Sequence, residues 1–134
     1  MTGHDTSIYC MAITGDNVLY TGSADKTVRR WDVCSRQAVS VYKHKDWVSA
    51  VCVVGSLLVT GTNSGKIWVW DADDVKENPV TLIGHFDQVT SLFQPMGEGE
   101  EHRRLISASL DGTVRQWSIP TPGVQTLDEE GEVM

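Results

Sequence analysis

The chain has 134 residues, a length for one domain, and 40% of them are hydrophobic, which excludes a chain too polar to bury a core. Eleven basic side chains against 18 acidic ones leave a formal charge of -7, and the basic residues are scattered, with no run longer than Arg29-Arg30 or Arg103-Arg104. A nucleic-acid partner is therefore not expected, because it calls for a concentrated basic face. No apolar run approaches the roughly 18 residues that span a bilayer, and MTGHDTSIYC lacks the order of a secretory leader, so no membrane partner is expected either.

Taken from the N-terminus, Ile8, Met11 and Ile13 mark a first strand. Gly15-Asp16-Asn17 is turn chemistry, and Val18 to Ser23 predicts a second strand. Asp25-Lys26 makes a tight turn, a third strand ends at Trp31, and Ala38 to Tyr42 predicts a weaker fourth. The series then returns. Val48, Val51 and Val53, the turn Gly55-Ser56, Leu57 to Thr62, the turn Ser64-Gly65, a strand ending at Trp70, and Val80 to Ile83 repeat it. A third pass takes Val89, Leu92 and Phe93, then Leu105 to Ser109, Asp111-Gly112, a strand ending at Trp117, and Val124 to Leu127. The insertion MGEGEEHRR, residues 96 to 104, explains why the second tryptophan interval is 47 residues and the first 39. No helical period of 3.6 residues is visible, so the fold class is all-β.

Cys10, Cys34 and Cys52 are odd in number and form no CxxC pair. They read as reduced thiols of an intracellular protein, with the cytoplasm favoured over the nucleus, and not as a zinc site or a disulfide framework.

Aligned, the copies are LYTGSADKTVRRWD (19 to 32), LVTGTNSGKIWVWD (58 to 71) and LISASLDGTVRQWS (105 to 118). His4, His44 and His85 each stand four residues before an apolar residue, Ile8, Val48 and Val89. Three in-phase copies of this pattern resemble WD (WD40) repeats, the four-stranded antiparallel blades of a β-propeller. The resemblance implies blades at about 4 to 43, 44 to 84 and 85 to 127, followed by an acidic C-terminal tail at 128 to 134.

It also implies a hydrogen-bonded structural tetrad in each blade: His4, Thr21, Asp25 and Trp31; His44, Thr60, Ser64 and Trp70; His85, Ser107, Asp111 and Trp117. Ser64 stands where the others have Asp, so His44 is expected to be less tightly held and blade two the softest. The third copy ends Trp117-Ser118, and Arg30 and Gln116 stand where blade two has Val69. The pattern alone gives no account of those two residues.

A His, a hydroxyl and an Asp also suggest a hydrolytic triad, but chemistry does not need three copies at blade period, and no Gly-x-Ser-x-Gly elbow occurs. The histidines are too far apart to share a metal, and Gly97-Glu98-Gly99-Glu100-Glu101 lacks the Lys and Ser/Thr of a phosphate loop. No catalytic residue, metal or cofactor is expected. The partners expected are other proteins or peptides. In propellers the loops before each first strand and the tight turns share one face, which offers Ser7, Lys45, Trp47, Phe86 and Gln88 together with Ala24, Asn63 and Leu110. Trp47 and Phe86 stand out as interface anchors, although either ring could instead pack between blades.

Propellers usually close with about four to eight blades, so three make an open arc with two bare faces. The chain is then a fragment or short isoform of a longer array, an arc that pairs with itself, or one that completes another protein's ring. The start of the match near Met1 favours the first. The function expected is a non-catalytic protein-interaction scaffold. The alternative is a substrate-recognition or adaptor subunit of a larger enzyme complex, such as a ubiquitin ligase or kinase. Some propellers that dock on ligase adaptors carry an Arg shortly after Trp-Asp, and Trp31-Asp32-Val33-Cys34 and Trp70-Asp71-Ala72-Asp73 lack it.

Overall fold

The protein is described by a computed structural model covering residues 1–76, 78–95, 103–119 and the backbone of 132–133. Alternating apolar and small polar residues, cut by glycine and aspartate turns, produce twelve short strands and no helix among them. The first sheet is a meander of β1 (Ile8–Ile13), β2 (Val18–Ser23), β3 (Thr27–Asp32) and β4 (Gln37–Lys43). The second is β5 (Val48–Val54), β6 (Leu57–Thr62), β7 (Ile67–Asp71) and β8 (Val80–Leu82). The third is β9 (Val89–Phe93), β10 (Arg104–Ser109), β11 (Val114–Ser118) and β12 (Glu132–Val133), also antiparallel and in chain order. The fourth strand expected at Val124 to Leu127 lies outside the described residues, as do 96–102 of the insertion. The pair that hydrogen-bonds to β11 is Glu132–Val133, within the segment read as a tail.

The tight turns repeat in detail. In each, the amide of Lys26, Gly65 or Gly112 donates 3.2 Å to the carbonyl three residues back. Each of these residues has a positive φ, 70°, 93° and 85°. That is a type I turn closed by a left-handed residue, the usual three-residue hairpin device. Each first strand also carries a register break, skipping Tyr9, Ser49 or Thr90. These are three β-bulges in phase, a device that re-aims one side chain.

The sheets stack face to face with β1 beside β5 and β5 beside β9. Tyr20, Val28 and Tyr42 of the first sheet pack on Val48, Leu58, Trp70 and Ala72 of the second. Val59, Ile67, Val69 and Leu82 of the second pack on Val89, Leu105, Trp117 and Ile119 of the third. The approach is close enough to demand glycine: a Cβ at Gly22 would stand 2.7 Å from Val48 Cγ1, and one at Gly61 would stand 2.6 Å from Val89 Cγ1. Ala108 occupies that position in the third sheet.

Arg30 has a structural explanation. Its Nη1 donates to Ala72 O at 2.8 Å and reaches Asp73 at 3.3 Å, while the guanidinium lies 5.8 Å over the Tyr20 ring. Tyr42 OH donates to the same carbonyl at 2.7 Å, so two side chains of one sheet grip one backbone oxygen of the next.

Among the described residues nothing covers the two outward faces. Ile8 is 54% exposed although its counterpart Val48 is fully buried, and Val114 is 40% exposed although its counterpart Ile67 is fully buried.

Candidate functional site

Eleven of the twelve expected tetrad residues come together, in two arrangements, and Ser64 stands apart from its set. In the first blade the indole of Trp31 donates to Thr21 Oγ1 at 2.8 Å. An indole nitrogen only donates, so the Thr21 proton turns to His4 Nε2, 2.6 Å away. His4 then carries its proton on Nδ1 and donates to Asp25 at 2.9 Å. The third blade repeats the relay from Trp117 to Ser107 (2.8 Å), Ser107 to His85 (2.6 Å) and His85 to Asp111 (3.0 Å). The aspartate also receives the backbone amide after the histidine, Asp5 or Phe86, which ties the leading loop to the turn.

A fifth member escaped the sequence reading. Thr27 and Thr113 each donate to the aspartate at 2.6 Å and approach the histidine Nδ1 at 3.3 and 3.2 Å. The spacing Asp-x-Thr, present in these two blades and replaced by Ser64-Gly65-Lys66 in the second, was the available signal. Burial would raise the Asp25 carboxyl, but the bonds from Thr27, His4 and the amides of Asp5 and Thr27 prevail and hold it at about 2. Asp111 is likewise held low, by Thr113 first, with burial opposing and Phe86 and His85 assisting.

In the second blade both aspartate and threonine are missing, and the set is rewired. His44 Nδ1–H donates to its neighbour's carbonyl, Tyr42 O, at 3.0 Å. Its Nε2 accepts from Thr60 at 2.7 Å and from Trp70 at 3.2 Å. Ser64 is exposed and bonds Thr62 at 3.0 Å, away from the histidine. His44 lies instead against Trp68 and Trp70, with centroids 5.3 and 5.1 Å away. Burial among those rings lowers its pKa to about 4, with the Tyr42 bond opposing.

The partner-binding candidates divide. Trp47, Asn63 and Gln88 line a groove of about 340 Å³, joined by two residues that sequence reasoning missed, Tyr9 and Ser49. Both are the bulged residues of their strands, and a bulge has no side-chain signature. Tyr9 and Trp47 meet across the boundary of the first two blades with centroids 6.2 Å apart and planes at 46°. Lys45, Phe86 and Leu110 are exposed outside the groove, Phe86 at 88%. Neither Trp47 nor Phe86 is buried between blades.

Among the described residues no group of three or more His, Cys, Asp or Glu could hold a metal, and no helix is long and apolar enough to cross a membrane. Cys10 and Cys52 are partly buried, with the Cys10 thiol pushed up to about 12 by burial, while Cys34 is exposed.

The family model "WD domain, G-beta repeat" matches residues 1–32, 36–71 and 76–118. The chain belongs to the WD40 family. WD40 repeats are protein-interaction modules and the family is generally non-catalytic. Among WD40 relatives, protein tipD of Dictyostelium discoideum is 32% identical over 124 residues, covering 88% of this chain and 19% of that protein. The ribosome biogenesis protein ytm1 of Pyrenophora tritici-repentis is 32% identical over 139 residues, covering 99% of this chain and 29% of that protein. The crystal structure of RRP9 WD40 repeats superposes with a TM-score of 0.77 at 27% identity, covering 88% of this chain and 37% of that one. The chain thus spans between about a fifth and two fifths of the length of these three proteins.

Proposed function

We propose that this chain is a non-catalytic scaffold segment that holds a protein or peptide on the face carrying Trp47, and that its two uncovered sheet faces seat further blades of a larger propeller. The observation that supports the first part most is the open aromatic groove at the boundary of blades one and two, on a surface where the other candidates Lys45, Phe86 and Leu110 are also exposed. The His–Asp–hydroxyl sets support a non-catalytic reading, because they are consumed in holding turns to leading loops. Affinity capture with the purified chain tests it. A partner retained by the parent chain and lost with Trp47→Ala and Phe86→Ala is expected. Identical partners with both variants would count against this face.

The second part is tested by light scattering over a concentration series. Ring closure by a second copy gives a stable dimer, whereas concentration-dependent aggregation points to blades supplied from elsewhere. An adaptor role in a ubiquitin ligase or kinase assembly is the narrower alternative, and recovery of such subunits in the same capture would select it. Similarity to a ribosome biogenesis protein gives a nuclear compartment weight against the cytoplasmic expectation, and imaging of a tagged chain in cells decides between them.

A further inference from the structure

The Trp47 groove has a chemistry of its own, and this inference rests on the binding face proposed above. Its five lining residues, Tyr9, Trp47, Ser49, Asn63 and Gln88, carry no charge at neutral pH. Two successive blade boundaries build it. The residue three after each histidine and the bulged residue five after it recur along the chain, so Tyr9 meets Trp47 at the first boundary, and Ser49 and Gln88 stand in the matching places at the second. An aromatic notch is therefore followed by a polar notch, with Asn63 between the two.

The groove offers several free donors, and two of the groups that carry them, the Tyr9 hydroxyl and the Gln88 amide, also accept. Asn63 Oδ1 is committed to the Trp47 amide, which leaves the two Nδ2 hydrogens unspent. Ser49 Oγ is committed to Val89 O. The Trp47 indole N–H, the Tyr9 hydroxyl and the Gln88 side-chain amide have no hydrogen-bond partner among the described residues. A ligand suited to this surface brings carbonyl acceptors, apolar rings to lay on the aromatics, and no charge. An acidic or basic peptide finds no counter-charge in the lining.

We infer that the groove takes a proline-rich segment in the polyproline II conformation. Proline has no backbone N–H, its ring packs flat on aromatic faces, and the extended helix carries three residues per turn with its carbonyls turned outward to donors. Tyr9 and Trp47 clasp proline rings, while Trp47, Asn63 and Gln88 donate to the carbonyls.

The test titrates the 134-residue chain with an acetylated, amidated decaproline peptide, following the tryptophan indole N–H resonances by NMR. A glycine-serine peptide of equal length and an acidic and a basic decapeptide run in parallel. The expected result is a shift of one indole resonance, assigned to Trp47 by its absence in Trp47→Ala, with decaproline alone. Trp47→Ala and Tyr9→Ala each weaken binding by about tenfold or more, and Trp47→Phe retains part of it. Circular dichroism of each variant confirms that the blades remain folded, and Trp47→Phe keeps the test usable should Trp47→Ala unfold. Equal response to the glycine-serine peptide, preference for either charged peptide, or no shift would overturn the proline reading. If decaproline fails while a protein partner is still captured through Trp47, the scaffold reading stands and only its ligand class falls.

Discussion

Ile8 and Val48 occupy one position in successive blades, and so do Met11 and Val51, and Ile13 and Val53. In the second blade these side chains lie under the first; in the first blade Met11 is 71% and Ile13 63% exposed. Blades one and three keep their His–Asp sets intact beside these open faces. Blade two, covered on both sides, lacks the aspartate and threonine and packs His44 against two stacked indoles instead. A blade flanked by two others can use packing where a blade at the end of the arc relies on a charged hydrogen-bond set.

The largest test of that contrast is acid. A neutral His44 with a folded pKa of about 4 takes up a proton less readily than its unfolded form near 6.5. The depressed histidine therefore leaves stability intact above pH 6.5 and removes it as pH falls toward 4, by up to about 3 kcal/mol. The Asp25 set is lost only lower, as pH falls from about 4 toward 2. Denaturant midpoints between pH 7 and 4.5 should fall for the parent chain and stay flat for His44→Gln from its own lower baseline. A parallel slope in that variant would assign the acid sensitivity elsewhere.

Next comes the close approach between blades. Gly61→Ala drives a methyl into Val89 and should cost about 1–3 kcal/mol, while Ala108→Gly should cost no more than about 1. Equal costs in thermal unfolding would mean that the stacking contact does not set the glycine requirement. Val48→Ala should likewise cost about 2 kcal/mol and Ile8→Ala less than about 0.5, since the same position is buried in one blade and bare in the other. A comparable loss for Ile8→Ala would show that its face is covered in solution. The smallest effect tests the softness of blade two: Ser64→Asp with Lys66→Thr, which rebuilds the Asp-x-Thr spacing, should add about 1 kcal/mol and exceed Ser64→Asp alone. No gain would show that the two indoles hold His44 as well as an aspartate does.

The strands, the turns and the recurring His, hydroxyl and Trp positions, with Asp25 and Asp111, were legible because each repeats at blade period, whereas Ser64 stands outside its set, and repetition separates a structural histidine from a catalytic one. The wiring was less legible. Ser64 marks the missing aspartate, but nothing at that position shows His44 turning to Tyr42 O or lying against Trp68. The groove was half legible. Trp47, Asn63 and Gln88 follow from loop position, whereas Tyr9 and Ser49 arrive through bulges that depend on backbone register. Arg30 found its explanation only across a blade boundary, at Ala72 O.

Ala108 carries a consequence for order of assembly. In blades one and two, glycine admits the valine that opens the following blade. Ala108 presents a methyl at that place, so a blade seated there must open with a residue smaller than valine or stand farther off. A blade that opens with valine, as the second and third do, would meet that methyl where the first two steps offer a glycine.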